Sequence, residues 1–178
     1  MSKWKIDPDH SVAAFAIRHM MVVNIRGLFN NISGTIDLDP VDISRSSVEV
    51  TIEAASLTTG NKKRDEHLLT QDFFEISKYP LIVFKSTGVE KTGNNTGRVT
   101  GNLTLHGVTR PVKLDVEYSG PVKGPAAMGG ETTMGFRTSV VIDRSDYGME
   151  WNVPLEDGGL MLSKDVELNL EIEADLIE

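Results

Sequence analysis

A chain of 178 residues is long enough to bury the core of one domain, and nothing divides it, so residues 1–178 are read as a single unit. Its net charge of −8 opposes attraction to nucleic acid or to an anionic headgroup layer, and the absence of cysteine excludes disulfides, thiolate metal sites and cysteine nucleophiles. No run approaches the roughly 18 consecutive apolar residues of a membrane-spanning helix. The opening Met1-Ser2-Lys3-Trp4-Lys5-Ile6-Asp7 lacks a signal-peptide core, so a cytoplasmic location is expected, with a periplasmic one open if a leader was removed.

Taken in chain order, the segment Ser11 to His19 is extended by composition, with Ala13, Phe15 and Ile17 on one face. Ile32, Gly34, Ile36 and Leu38 alternate with other residues at the period of a strand. Val48, Val50, Ile52 and Ala54 do the same, leaving Ser47, Glu49, Thr51 and Glu53 for water. The region Ser56 to Pro80 breaks the pattern. Asn61 is placed to cap a helix running to Leu69, Thr70 to cap a further helical turn holding Phe73 and Phe74, and Tyr79-Pro80 to stop it.

Strand character returns from Leu81 to Lys91, which carries Phe84, and again in Val99, Gly101, Leu103 and Leu105. His106-Gly107 marks a turn before Val112, Leu114, Val116 and Tyr118. The Gly- and Pro-rich run Gly120 to Gly130 reads as a mobile loop. Met134, Phe136, Thr138, Val140 and Ile142 then share a face, as do Val166, Leu168, Leu170, Ile172, Ala174 and Leu176, whose intervening residues are almost all acidic.

Eight or nine amphipathic strands with one helical insertion specify an all-β, mainly antiparallel fold. Periodicity does not choose between a sandwich and a barrel, although closure into an eight-stranded, lipocalin-like barrel removes exposed edges. In a barrel the inward set is Phe15, Ile17, Ile36, Ile52, Phe84, Leu103, Leu105, Phe136, Val140 and Ile142. The same residues would fill a core or line a lipid pocket. Small residues at Ala13, Gly34, Gly101 and Thr138 are expected to leave room inside. Leu68, Leu69, Phe73 and Phe74 would then cover an open end as a lid.

Specific motifs go further. Trp4, Asp7, His10, Ser11, Phe15 and His19, then Arg64-Asp65-Glu66-His67-Leu68, Phe73-Phe74, Tyr79-Pro80 and Phe84-Lys85-Ser86, resemble the YceI-like family. Gly101 to Val112 is similar to that family's hairpin signature, and Ile142-Asp143-Arg144-Ser145-Asp146-Tyr147-Gly148-Met149 to its late loop. The resemblance implies an elongated lipocalin-like barrel holding an isoprenoid lipid, a polyprenyl phosphate or an isoprenoid quinone, as a bacterial carrier, storage or stress-related protein. It implies a lipid partner without stable membrane insertion, no cofactor beyond that ligand, and leaves a homodimer open.

Polar contacts at the mouth are assigned to His10, Arg64 and Arg144, the arginines because a guanidinium fork matches phosphate oxygens. No catalytic residues are assigned: Asp9-His10-Ser11 has the residue types of a hydrolase triad, but neighbours on an extended chain point to opposite faces. His10, His19, His67 and His106 lack metal-ligand spacing, so no metal site is expected. Two other readings stay open: a hydrolase or isomerase acting at the barrel mouth, and a filled barrel that serves as an interaction module.

Overall fold

A computed structural model describes residues 1–177. Its strands are β1 (Ser2–His19), β2 (Val23–Phe29), β3 (Ile32–Leu38), β4 (Ser47–Glu53), β5 (Leu57–Thr58), β6 (Leu81–Lys91), β7 (Thr96–Leu105), β8 (Val108–Lys123), β9 (Thr132–Asp143) and β10 (Leu162–Leu176). Among the described residues the single α-helix is α1 (Lys62–Leu68). Eight strands run in the antiparallel order β10-β9-β8-β7-β6-β4-β3-β1, and β1 pairs back onto β10 from Trp4↔Leu176 to His19↔Leu162. The sheet therefore closes into a barrel.

Strand β1 is longer than its composition suggests. Trp4 and Ile6 already face inward, and the strand bulges between Asp7 and Val12, where Pro8 and its neighbours leave the ladder with β10. Ser11 repairs the gap: its hydroxyl donates to the Glu173 carbonyl at 3.2 Å and accepts from the Glu173 N–H at 3.1 Å. Beyond the bulge β1 pairs with β2, which the alternation analysis did not identify. The edge of β2 away from β1 pairs only with β5, at Leu28↔Thr58 and Phe29↔Leu57, so on that side its backbone from Val23 to Gly27 has no strand partner. The barrel wall is not continuous at this end.

Asn61 caps α1 as expected, accepting from the Arg64 N–H at 3.0 Å. The second helical turn does not form. Phe74 N–H bonds back to Leu68 O and Glu75 N–H to Thr70 O, which makes residues 70–74 a chain of turns. The expected Gly120 to Gly130 loop is also shorter, because Val122 and Lys123 pair with Thr133 and Thr132 and carry β8 through Gly120. His106 and Gly107 form a two-residue hairpin turn with φ of +51° and +72°, matching the twist of β7 and β8.

The small residues do not all open the interior. A Cβ on Gly101 would lie 2.4 Å from the Phe84 ring, and one on Gly34 would lie 2.2 Å from the Glu49 carbonyl oxygen and 2.9 Å from Ile6. Neighbouring groups take those spaces, whereas Ala13 and Thr138 do face the hollow centre. Packing is confined to three apolar clusters around that centre. Phe15, Phe29 and Ile52 anchor one, Phe84, Leu105 and Tyr147 the second, and Trp4, Ile36 and Met134 the third, at the opposite end.

Candidate functional site

The barrel encloses a cavity of about 1130 Å³. Phe15, Ile17, Ile36, Ile52, Phe84, Leu103, Leu105, Phe136, Val140 and Ile142 all border it, because the alternation of each strand fixes which face turns inward. A volume just above the usual range of ligand sites combines here with walls that are predominantly aliphatic and aromatic.

One end is closed by the segment from α1 to Phe74 and by residues 148–161. Leu68, Phe73 and Phe74 border the cavity, while Leu69 packs on the Phe15 cluster instead. Phe74 meets Phe29 edge-on with ring centroids 5.6 Å apart, and Trp151 meets both Phe73 and His67 at 5.3 and 4.9 Å. Trp151, Met149 and Met161 were not assigned from sequence, since their segment has no period that would show its inward face.

The charged groups of this end are mostly occupied. Arg64 borders the cavity but turns its Nε to Thr59 Oγ1 at 2.6 Å and one terminal nitrogen to the Thr59 carbonyl at 2.9 Å. Thr59 also binds Asp65, and the Thr59 hydroxyl holds that carboxyl below its ordinary pKa. His67 pairs with Asp72 at 2.8 Å, and among the described residues no side-chain hydroxyl is bonded to the imidazole that would make the pair a nucleophile's base.

Arg144 borders the cavity, as Arg64 does, but not from an open loop at the mouth. It is buried in a short 3-10 turn (Arg144–Tyr147), where Nε donates to Ser163 O at 2.9 Å and one terminal nitrogen donates to Met149 O at 2.6 Å and Trp151 O at 2.9 Å. Burial pulls its pKa down from the ordinary value, only partly offset by Asp143, and no carboxylate pairs with it among the described residues. The guanidinium staples residues 149–151 to β10.

His10 is a second correction. It stands on the outer wall at the β1 bulge, where Nδ1 lies 2.6 Å from Asp7 and 3.8 Å from Glu173, and it does not border the cavity. Bulging turns the side chain outward, away from any mouth. The Asp7 carboxylate raises the His10 pKa, and His10 lowers that of Asp7. These three side chains form a small cluster of potential metal-ligating atoms that sequence spacing did not reveal. With Ser11 committed to the Glu173 backbone, Asp9, His10 and Ser11 do not converge on one reacting point. His106 is committed too: its Nδ1 donates to Tyr147 O at 2.9 Å, beside the ring of Tyr79.

A YceI-like domain model matches residues 4–174. The chain belongs to the YceI-like family. Among curated relatives of this YceI-like chain is a UPF0312 protein of Staphylococcus aureus, 34% identical over the full length of both chains. A Campylobacter jejuni YceI protein of known structure is 35% identical, with TM-score 0.74 and 90% of each chain covered. Burkholderia cenocepacia BcnA shares the fold at 23% identity, TM-score 0.80, and coverage of 94% and 98%. A polyisoprenoid-binding domain from Saccharophagus degradans shares it at 16% identity, TM-score 0.70, and coverage of 99% and 100%. The lipocalin-like, eight-stranded antiparallel barrel is thus common to relatives of low sequence identity. Among the described residues no helix is long and apolar enough to cross a membrane.

Proposed function

We propose that this chain binds one long apolar ligand, an isoprenoid lipid such as a polyprenyl phosphate or an isoprenoid quinone, inside the barrel, as a carrier or store rather than as an enzyme. The observation that carries the reading is the 1130 Å³ cavity with its apolar wall. At ~30 Å³ per carbon-sized group, about a water molecule's share of liquid volume, the space takes roughly 35 such groups. Each buried CH₂ contributes about 0.8 kcal/mol before ordering costs, so a chain of that length binds without strong head contacts. The polyisoprenoid-binding domain from Saccharophagus degradans supports the ligand class through its shared fold.

The binding reading also explains the commitments of the polar groups. Those at the closed end hold the backbone of the covering segments, and none presents an activated nucleophile to the cavity. Organic extraction of the purified protein followed by mass spectrometry is the direct test. Isoprenoid ions at about one per chain are expected. A protein that retains no lipid and fails to take up an added polyprenyl phosphate or quinone would overturn the reading.

A further inference from the structure

The β1–β2 hairpin ends in an apolar tip. Met20, Met21, Val22 and Val23 are 40%, 64%, 76% and 49% exposed. Single exposed apolar residues are ordinary on a surface, but a consecutive run at a projecting turn is not. Met20 and Met21 also adopt φ of +53° and +59°, a left-handed backbone that such turns normally give to Gly or Asn. Two long thioether side chains stand where small polar residues would build the turn with less strain.

Along the chain on either side of the tip the charge changes sign relative to the rest of the protein. From His10 to Ile36 the chain contains no Asp or Glu, although its net charge is −8. Arg18 and Arg26 project from the outer face of the hairpin, and the arginine ion pairs of the described residues involve Arg45, Arg98 and Arg137 instead. At about 3.4 Å per residue the two guanidinium positions lie some 5–15 Å behind the turn. Apolar side chains ahead and cations behind match the boundary between acyl chains and lipid phosphates.

We propose that this hairpin is a membrane-docking tip, with Met20 to Val23 entering the acyl region of a phospholipid bilayer and Arg18 and Arg26 contacting lipid phosphates. The benefit of docking rests on the lipid-binding reading: His19 and Ile25, at the base of the tip, border the cavity, so docking brings the open edge of β2 to the bilayer. An apolar ligand then passes between bilayer and barrel without crossing water.

With no native cysteine, Val22→Cys and Val122→Cys each accept one environment-sensitive fluorophore. Vesicles of phosphatidylcholine with phosphatidylglycerol should shift the Val22 label to the blue and leave the label on Val122, near the other end of the barrel, unchanged. Combining Met21→Asp with Val22→Asp should cut the vesicle-bound fraction about tenfold, and Arg18→Gln with Arg26→Gln should weaken binding chiefly to vesicles containing phosphatidylglycerol. No shift at Val22, equal shifts at both positions, or a vesicle-independent shift that grows with protein concentration would overturn the proposal, the last by showing that a second copy covers the tip. Uptake of N-phenylnaphthylamine by the vesicle-free protein reports on the cavity separately. The Asp variants should retain it, and its loss in the wild type with docking intact would count against the cavity reading alone.

Discussion

Replacing Arg144 by methionine isolates what a buried guanidinium does in an apolar wall. The substitution keeps an unbranched side chain of similar reach but removes every donor. The carbonyls of Ser163, Met149 and Trp151 then lose partners now held at 2.9, 2.6 and 2.9 Å. A hydrogen bond to a charged group contributes about 1.5–3 kcal/mol, and an orphaned buried carbonyl costs about 1–3 kcal/mol. The effects are not additive, and removing a buried charge returns some desolvation energy. A net loss of about 3 kcal/mol is expected, or roughly 6–12 °C in Tm for a domain of this size. Urea unfolding should show a lower midpoint with an unchanged slope, and amide exchange should rise first across residues 148–162. Arg144→Lys should recover less than half of the loss, because one ammonium does not span acceptors on two chain segments as the planar fork does. A loss below about 1 kcal/mol for Arg144→Met, or full stability with lysine, would refute the stapling role.

A Cβ at Gly27 would fall 2.3 Å from the Phe15 ring, so Gly27→Ala should drive that ring into the cavity, cost about 1–3 kcal/mol and weaken uptake of an apolar probe, measured by denaturation and fluorescence titration. Phe74→Ala removes a cavity-facing ring that packs on Phe29 and should speed ligand release; in the wild type, amide exchange from Asn61 to Phe74 should slow when lipid is bound, and unchanged protection there would mean entry by another route. Arg64→Ala should weaken a polyprenyl phosphate more than an uncharged isoprenoid, with equal losses in paired titrations telling against any head-group contact. Asp7→Asn should return His10 toward its ordinary pKa near 6.5, read by NMR titration of the imidazole. Because the His10 pKa is raised, its stabilising share is complete below about 6.5 and lost as pH rises through the raised value, whereas the share of Asp7, whose pKa is lowered, is lost as pH falls through the lowered value. The variant should lose the Asp7 contribution and most of that of His10, with the weaker pull of Glu173 left in place.

The inward face of the barrel was legible because alternation survives in single-sequence form. Phe136, Val140 and Ile142 lie on one side of β9 by parity alone, and the acidic residues of β10 confirm its wet face. Strand β2 was not legible: Met20 to Val23 is an unbroken apolar run, and Gly27 interrupts the apolar parity set by Ile25 and Phe29. The first residues of β1 hid behind Pro8 and alternating charges, although Trp4 and Ile6 already kept the period. Arg144 was legible only in part: it does border the cavity, but its commitment to the backbone did not show. Its partners are main-chain carbonyls, which leave no trace in residue type, so a structural staple looked like a free cation. Whether the inward set fills the barrel or lines a cavity also depends on shape, since both arrangements use the same side chains.

The closing seam of the barrel bears on how the chain is made. Trp4 pairs with Leu176, and the contact joins the two barrel strands that lie farthest apart in sequence. Strands β6 to β10 can assemble as hairpins of close neighbours, but β1 has no β10 to meet until every strand between them has been made. Until then both lips of the seam present unpaired backbone and an apolar inner face to solvent or to a chaperone. Truncation of even the last strand should therefore leave an open sheet prone to association. The same adjacency of the two ends makes the chain a natural candidate for circular permutation, with a short linker across the seam and new ends in the exposed turn between β6 and β7.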